Sequence, residues 1–201
     1  MRMWEASRMS CGAAGVYEPA DLVVYLQDRG PVLKEKSLVA YDGATGKIAA
    51  MGTQAERMTQ TGTILVRSPL RQGAVAEYEM AVRLFAFVLR KALGGRPLRK
   101  PAVAVCVPDG MTGVEKRALE DAVRQAGAGP LVLSELPAQQ LMHALPEQDP
   151  KLARKFKVIL GIEKADPERY VIEQLSRALG YARRMGISPG RVAELLEAAD
   201  R

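Results

Sequence analysis

Few residues in this chain of 201 could bind a metal ion or act as a nucleophile. There are two cysteines, Cys11 and Cys106, and a single histidine. A structural zinc site needs four Cys or His ligands, and the chain offers no such set at suitable spacing. Cys106 lies in the apolar run 102–107, which favours a buried thiol that packs as a small hydrophobic side chain. We therefore expect no zinc site.

Three polar or flexible residues stand at the ends of predicted strands. Gly110 belongs to the Pro-Asp-Gly turn that ends the apolar run 102–107. Thr112 precedes a helical pattern and has Glu115 three residues later, which is the pattern of a capping box. Glu135 follows the short apolar segment 131–133, where a surface carboxylate is an ordinary feature. Each residue thus has a local explanation beside any functional one.

Hydrophobic patterning predicts an α/β fold around these residues. Three strands joined by the turn 42–46 form an antiparallel meander at 21–27, 36–41 and 47–51. A helix is predicted over 75–92, ended by Gly94-Gly95, and a second one over 113–126. The run 101–107 is apolar without interruption, which indicates a strand buried on both faces. A further short strand follows at 131–133.

The character of the sequence changes after residue 145. Pro146 to Pro150 predict a linker or a sharp corner, and 151–161 is compatible with helix or strand. Helices are predicted over 167–185 and 191–199. No apolar run approaches the ~20 residues that a membrane-spanning helix needs, and no secretory signal is evident. We expect a cytoplasmic protein.

The formal charge of +6 and the pI of about 9.4 permit binding to nucleic acid or to an anionic membrane. The positive residues are spread along the chain, with modest clusters at 96–100 and 151–157. Aromatic residues, on which bases stack, make up only 5% of the chain and are missing near these clusters. The charge therefore favours a solvated surface over a nucleic-acid site.

Four segments, in this order, resemble sequences of one family: LVVYLQDRGPVLKEKSLVAYD from residue 22, GATGKIAAMGTQAERM from 43, SPLRQGAVAEYE from 68 and VCVPDGMTGVEKRA from 105. The last two are similar to the "RPLKDGVIADFE" and "CVPSGITEVEKRA" of the MreB/Mbl family of bacterial actin-like cell-shape proteins. The resemblance covers residues 15–146 with similar spacing.

The resemblance implies an actin-like, RNase-H-type first-half domain over 15–146. It follows a flexible N-terminus over 1–14 and precedes a helical C-terminal extension of unknown role over 147–201. No second phosphate motif of the "DIGGGT" kind occurs after residue 146. Intact members of the family bind ATP and Mg²⁺, polymerise under the cytoplasmic membrane and guide cell-wall synthesis.

The nucleotide site that the resemblance implies is degenerate here. Where the family has "DLGTANT", residues 16–22 read VYEPADL, so that Val16 replaces the aspartate. Glu18 would repel phosphate and Pro19 lacks an N–H donor. Directly before Pro137 the family has a catalytic glutamate and this chain has Leu136, which leaves Glu135 as the candidate catalytic residue. Thr112 and Gly110 are the candidates for nucleotide contact.

We therefore expect no bound cofactor and no ATP hydrolysis. The leading hypothesis is a noncatalytic, truncated actin-like module in cell morphogenesis that binds MreB-type filaments or the cell-shape machinery. The segment from Met1 to Met9 mixes apolar and basic residues and is a candidate for peripheral membrane contact, or a frayed terminus. The alternatives are a nonfunctional relic of an MreB-type gene and a small basic nucleic-acid-binding protein. An active ATPase would need motifs that we do not find.

Overall fold

The fold is that of a mixed α/β protein built around one central sheet. The computed structural model describes residues 19–58, 63–95, 97–163, 179, 182–188 and 190–191. The predicted flexible terminus, with the candidate membrane segment, and residues 16–18 of the degenerate hairpin lie outside the described residues. So does most of the predicted helices 167–185 and 191–199. Two compact units divide the chain, and the one described below is Pro19–Lys164.

Ten strands and five helices are described in this unit. The strands are β1 (Asp21–Leu26), β2 (Gly30–Lys36), β3 (Val39–Asp42), β4 (Ile48–Met51), β5 (Ile64–Arg67), β6 (Leu70–Arg71), β7 (Ala74–Val75), β8 (Val103–Cys106), β9 (Leu131–Ser134) and β10 (Val158–Glu163). The helices are α1 (Thr53–Glu56), α2 (Tyr78–Ala92), α3 (Gly113–Gln125), α4 (Ala138–Gln148) and α5 (Pro150–Lys155). No described helix is long and apolar enough to cross a membrane.

Five strands form the central sheet in the order β2-β1-β10-β8-β9. Strand β1 pairs antiparallel with both β2 and β10. Strands β10, β8 and β9 run parallel to one another. Because α3 connects β8 to β9, and α4 with α5 connects β9 to β10, the parallel part consists of two successive strand–helix–strand crossovers.

Alternating side chains bury both faces of this sheet. In β1, Leu22 and Val24 pack into the larger core under α2 and α3, which Leu84, Phe85 and Leu119 also fill. The residues between them, Val23 and Tyr25, face a second core under α4 and α5 with Leu141 and Phe156. This two-sided burial is the reason that the apolar run 102–107 shows no polar alternation.

A smaller sheet in the order β4-β3-β5 lies outside the central one, and β6 and β7 form a separate hairpin. The turn between β3 and β4 is organised by Asp42, whose carboxylate accepts hydrogen bonds from the backbone N–H of Ala44 at 2.9 Å and of Thr45 at 2.7 Å. The same carboxylate accepts the hydroxyl of Thr63, next to β5, at 2.7 Å. The predicted turn at 42–46 is confirmed, and these bonds join it to the third strand of the sheet.

The structure differs from the sequence-based prediction at two strands. Strand β2 begins at Gly30 and includes Pro31, and the predicted strand 36–41 is divided between β2 and β3. Proline is tolerated there because β2 is an edge strand, which needs donors on one side only. Residues Val158–Glu163 lie in the predicted extension 147–201, where 151–161 was compatible with helix or strand, and they form β10 between β1 and β8. Long-range pairing on both sides makes this segment a strand.

Candidate functional site

A crevice of about 270 Å³ opens at the carboxyl ends of the parallel strands β10, β8 and β9. Gly161, Cys106 and Ser134 lie side by side in these strands, and the residues that follow them form the walls. In α/β sheets, ligands bind characteristically outside the carboxyl ends of such strands. We call this concavity the acidic crevice. Its lining includes Pro108, Asp109, Glu135, Pro137, Ala138 and Glu163.

Close packing of α4 on β10 forms one wall of the acidic crevice. A Cβ atom added to Gly161 would lie 2.8 Å from the Cβ of Ala138, closer than real Cβ contacts. Only glycine therefore lets the first turn of α4 approach the strand at this point. Gly73, in the β6–β7 hairpin, has φ +90°, and a Cβ there would lie 2.6 Å from Pro108 Cγ. The hairpin thus packs directly on the loop that follows β8.

The charged residues described in the lining of the acidic crevice are all carboxylates. Asp109, Glu135 and Glu163 are all present, and the described lining residues include no lysine or arginine. Glu163 also lies opposite Asp21 in the β1–β10 register. Asp21 forms ion pairs with Lys34 and Lys36, each at 2.8 Å, so those two cations are engaged there. The crevice is therefore an electronegative surface.

Glu135, the candidate catalytic residue, lies on the loop after β9 with its side chain 58% exposed. Its Oε1 accepts a hydrogen bond from Lys116 Nζ at 2.6 Å. This hydrogen bond and the charge of Lys116 lower the pKa of the Glu135 carboxyl. A general base works best with a pKa near the ambient pH, so the ion pair makes Glu135 a weaker base. The observed geometry is that of a surface ion pair between α3 and the end of β9.

Thr112, the first candidate for nucleotide contact, is the N-cap of α3 in a complete capping box. Its Oγ1 accepts from the backbone N–H of Glu115 at 3.3 Å, and Glu115 Oε2 accepts from the backbone N–H of Thr112 at 2.8 Å. These hydrogen bonds lower the pKa of the Glu115 carboxyl. The positive end of the helix thus faces a carboxylate of its own chain, with which a phosphate would compete.

Gly110, the second such candidate, has φ +83°, a conformation that glycine adopts without strain. A Cβ atom added there would meet nothing within 4 Å, so no neighbouring group approaches this glycine. Gly110 and Thr112 lie on the loop between β8 and α3 and outside the lining of the crevice, whereas Glu135 lies in that lining. The structure brings one of the three candidates to the strand-end crevice and leaves two beside it.

Cys106 is buried at the base of the acidic crevice, as the sequence predicted. Burial, and then the nearby Glu163 carboxylate, raise the pKa of the Cys106 thiol to about 12. Thiols act as nucleophiles and metal ligands in the thiolate form, so this one is inert at neutral pH. Burial and the same glutamate also raise the pKa of Tyr25. In both cases the Glu163 carboxylate raises the pKa, as a nearby negative charge does when it opposes the loss of a proton.

Sequence reasoning did not identify Glu163 or Asp109 as part of this site. Asp109 was assigned to a turn, and Glu163 belonged to the predicted helical extension. A usable signal was present, because residues 158–162 (VILGI) form an apolar run that ends in a charged residue, just as 102–107 ends before Pro108-Asp109. Two such runs in an α/β pattern predict neighbouring parallel strands whose polar ends meet.

The described residues fit poorly to the nucleotide and metal ion of intact family members. No group of three or more His, Cys, Asp or Glu residues in the described part of the chain is arranged to hold a metal ion. A triphosphate needs backbone N–H donors and cations, whereas the acidic crevice presents Asp109, Glu135 and Glu163. Lys116, the cation that contacts Glu135, is engaged in that ion pair.

Comparison with known proteins agrees with the fold. The family model described as "MreB/Mbl protein" matches residues 18–145. The cell shape-determining protein Mbl of Bacillus cereus is 31% identical over 120 residues, and MreB of Escherichia coli K12 is 31% identical over 125. Each match covers 59% of this chain and 36% of the relative, so the chain spans about a third of the length of these proteins.

A solved structure gives the same picture. MreB5 of Spiroplasma citri bound to ADP matches at 28% identity with a TM-score of 0.52, over 59% of this chain and 36% of that one. This match shows the actin-like fold for the first part of the chain and confirms the predicted α/β class. With the family model over residues 18–145, it establishes that the chain belongs to the MreB/Mbl family.

Proposed function

We propose that this chain is a noncatalytic, actin-like interaction module of cell morphogenesis, which binds MreB-type filaments or the cell-shape machinery attached to them. Membership of the MreB/Mbl family supports the cytoskeletal part of the proposal. The observation that carries the noncatalytic part is the state of the acidic crevice. Its carboxylates repel phosphate, and both Glu135 in its lining and Thr112 beside it are bonded to neighbouring side chains.

A module that binds partners needs a stable scaffold, and the core supports one. Both faces of the central sheet are covered, one by α2 and α3 and the other by α4 and α5. The exposed large apolar side chains described within Pro19–Lys164 are Tyr78 on α2, Leu98 on the loop before β8, Val114 on α3 and Leu136 on the loop after β9. A relic without its packing partner would expose a continuous apolar face instead. The packing therefore favours a folded module over the relic.

The proposed location is the cytoplasm, where intact members of the family assemble. Peripheral membrane contact through the segment from Met1 to Met9 remains a prediction, because these residues lie outside the described part of the chain. Flotation of the chain with vesicles that contain anionic lipid, compared with a variant lacking residues 1–9, measures this contact directly.

Co-sedimentation with polymerised full-length MreB tests the proposed interaction. We expect the purified chain to pellet with the filaments and to remain in the supernatant when the MreB is kept monomeric. Saturation of the pelleted fraction at a fixed ratio to MreB would distinguish binding from trapping. A chain that stays in the supernatant at every micromolar filament concentration tested would refute the filament part of the proposal.

Calorimetric titration with Mg-ATP tests the noncatalytic part. We expect no heat of binding and no release of phosphate, because the acidic crevice offers carboxylates where phosphate oxygens need donors. The same titration of full-length MreB provides the positive control. Micromolar binding by this chain would mean that residues 16–22, three of which lie outside the described part, form a working phosphate loop.

A further inference from the structure

A second concavity lies beside α2, away from the carboxyl ends of the parallel strands. It has a volume of about 1200 Å³ and lies between α2 from Val82 onward, residues 97–101 and the C-terminal end of α3. Ile48 and Met51 of β4 complete it on the other side. We call it the basic groove. Its volume exceeds the roughly 300–1,000 Å³ of sites for small molecules, so it suits a segment of a macromolecule.

The charged side chains described in the lining of the basic groove are all positive. Arg83, Arg90, Lys91 and Lys100 line it, and the described lining residues include no aspartate or glutamate. Lys91 is paired with Glu35 at 2.5 Å. The other three are exposed and form no ion pair with any described residue. Arg90 and Lys91 also stabilise the C-terminal end of α2, but that end carries only about −0.5 charge, which leaves the groove clearly positive.

Apolar side chains alternate with these cations along the lining. Val82, Phe87 and Leu93 of the α2 segment contribute half-buried apolar surface. Leu98 is fully exposed, although leucine is a side chain that proteins usually bury. The groove therefore combines apolar contact area with a surplus of positive charge. This combination matches a ligand that carries apolar and acidic groups together.

The wall of the groove that α2 forms is fixed in place. Leu84, Phe85 and Val88 fix α2 in the core without exposure to solvent. The helix ends in a Schellman motif, in which the N–H of Gly95 bonds to the carbonyl of Arg90 at 2.8 Å and Gly94 adopts φ +71°. A rigid surface loses little conformational entropy on binding, which favours affinity.

The geometry points to a docking site for an acidic amphipathic helix of a partner protein. Such a helix presents apolar residues at positions i, i+3, i+4 and i+7 on one side, flanked by Glu or Asp. Its apolar stripe would lie on Phe87, Leu93 and Leu98, and its carboxylates would pair with Arg83, Arg90 and Lys100. This inference concerns a surface remote from the crevice and stands without the proposed filament role.

Two other polyanionic surfaces fit the groove less well. A bilayer is flat on this scale and contacts convex surfaces, whereas these cations line a concavity. Nucleic acid would satisfy the cations and leave the apolar lining without a partner, and Phe87 is the single aromatic residue among the described lining residues available for stacking. The helix therefore accounts for both components of the lining.

Fluorescence anisotropy with a synthetic peptide tests the inference. The probe is a labelled amphipathic helix of about 18 residues, five turns long, with Leu on one face and Glu on the other. We expect saturable binding by the whole chain. The Arg83→Glu, Arg90→Glu double variant should raise Kd at least about tenfold, because each reversal replaces an attraction by a repulsion. Leu98→Ser should weaken binding by a smaller factor of about three, through loss of apolar contact.

The matched control is the Arg154→Glu, Lys155→Glu variant, with the same change of charge on α5, which packs on the opposite face of the sheet. It should keep the affinity of the parent chain, and circular dichroism should show that both double variants are folded. A scrambled peptide of the same composition should bind several-fold more weakly. The inference would be overturned if the peptide did not bind saturably, or if both double variants lost affinity equally. It would also be overturned if the chain bound only anionic vesicles or only single-stranded DNA.

Discussion

The acidic crevice and the basic groove lie on the same scaffold and carry opposite charge. Asp109, Glu135 and Glu163 line the crevice, which lies where α/β proteins usually bind their ligands. The groove is lined by four cations and lies beside α2, which contains none of the segments that correspond to the family's phosphate motifs. In the crevice the candidate residue Glu135 is paired with Lys116, whereas in the groove Arg83, Arg90 and Lys100 form no ion pair with a described residue.

The contrast teaches that a retained fold does not imply a retained site. The strands, the capping box of α3 and the packing of α4 on Gly161 serve the stability of the domain whether or not a nucleotide binds. Unpaired charges on a surface are not needed for stability, and a concave cluster of one sign is therefore the better indicator of a partner.

Leu160→Ala should produce the largest effect, because it tests the scaffold on which both regions depend. Leu160 lies in β10 and is fully buried in the larger core. Its truncation should lower the free energy of unfolding by about 2–5 kcal/mol in urea titrations followed by circular dichroism. The matched control is Leu98→Ala, at a fully exposed leucine, which should change it by less than about 0.5 kcal/mol.

Equal stability of the two leucine variants would show that β10 is not part of the cooperative unit. The relic hypothesis makes a different prediction, since it expects a broad transition in the parent chain as well. A sharp parent transition that Leu160→Ala shifts and Leu98→Ala leaves in place would exclude it.

Glu35→Gln should destabilise the protein and raise the affinity of the basic groove for the acidic peptide. Glu35 is buried, accepts from Lys91 Nζ at 2.5 Å and from the backbone N–H of Thr53 at 2.6 Å. Burial raises the pKa of Glu35, but these hydrogen bonds outweigh it and the pKa is lowered. Loss of the charged bond should cost about 1.5–3 kcal/mol of unfolding free energy. The released Lys91 adds an unpaired cation, so the acidic peptide should bind more tightly.

The control for this experiment is Asp28→Asn, which removes the exposed pair with Arg29 in the turn between β1 and β2. It should cost less than about 0.5 kcal/mol and leave the peptide affinity unchanged. If Glu35→Gln weakened peptide binding at constant stability, Lys91 would not be a contributor to the groove's charge.

Much of the scaffold could be predicted from local signals. Thr112 followed by Glu115 predicted a helix from residue 113, and α3 begins at Gly113. Gly94-Gly95 predicted the end of α2, which closes at Ala92 with the expected glycine conformation. The continuous apolar run predicted β8. These signals work because each is decided by interactions within a few residues.

The remaining features depend on contacts between distant segments, and the sequence did not reveal them. Strand β10 is a strand because β1 and β8 pair with it on either side. The Lys116–Glu135 ion pair exists because β8 and β9 are neighbours. The basic groove combines β4, α2, α3 and a loop, so the clusters of charge noted in the sequence gave only Lys100 of its cations.

Thr112→Ala should have a modest effect confined to stability. The threonine hydroxyl satisfies the N–H of Glu115 at the start of α3. Its loss should cost about 1 kcal/mol of unfolding free energy, and Thr112→Ser should restore most of it. Because Thr112 is remote from the basic groove, peptide affinity should stay constant in both variants. A change in affinity without a change in stability would show that α3 positions the groove.

Lys116→Gln should have the smallest effect, visible chiefly in the titration of Glu135. The hydrogen bond and the charge of Lys116 lower the pKa of Glu135, so replacing the lysine should move that pKa upward toward its usual range. A carboxyl whose pKa is lowered by folding adds stability above its unfolded pKa and loses it as the pH falls through the folded value. Stability should therefore depend less on pH in the acid range in Lys116→Gln than in the parent.

NMR titration of the Glu135 side chain measures the shift of its pKa, and Lys151→Gln, at an exposed lysine on α5, should leave that pKa unchanged. A Glu135 pKa that stays low in Lys116→Gln would mean that another donor reaches this carboxylate, and the ion pair would then not be what keeps Glu135 from acting as a base.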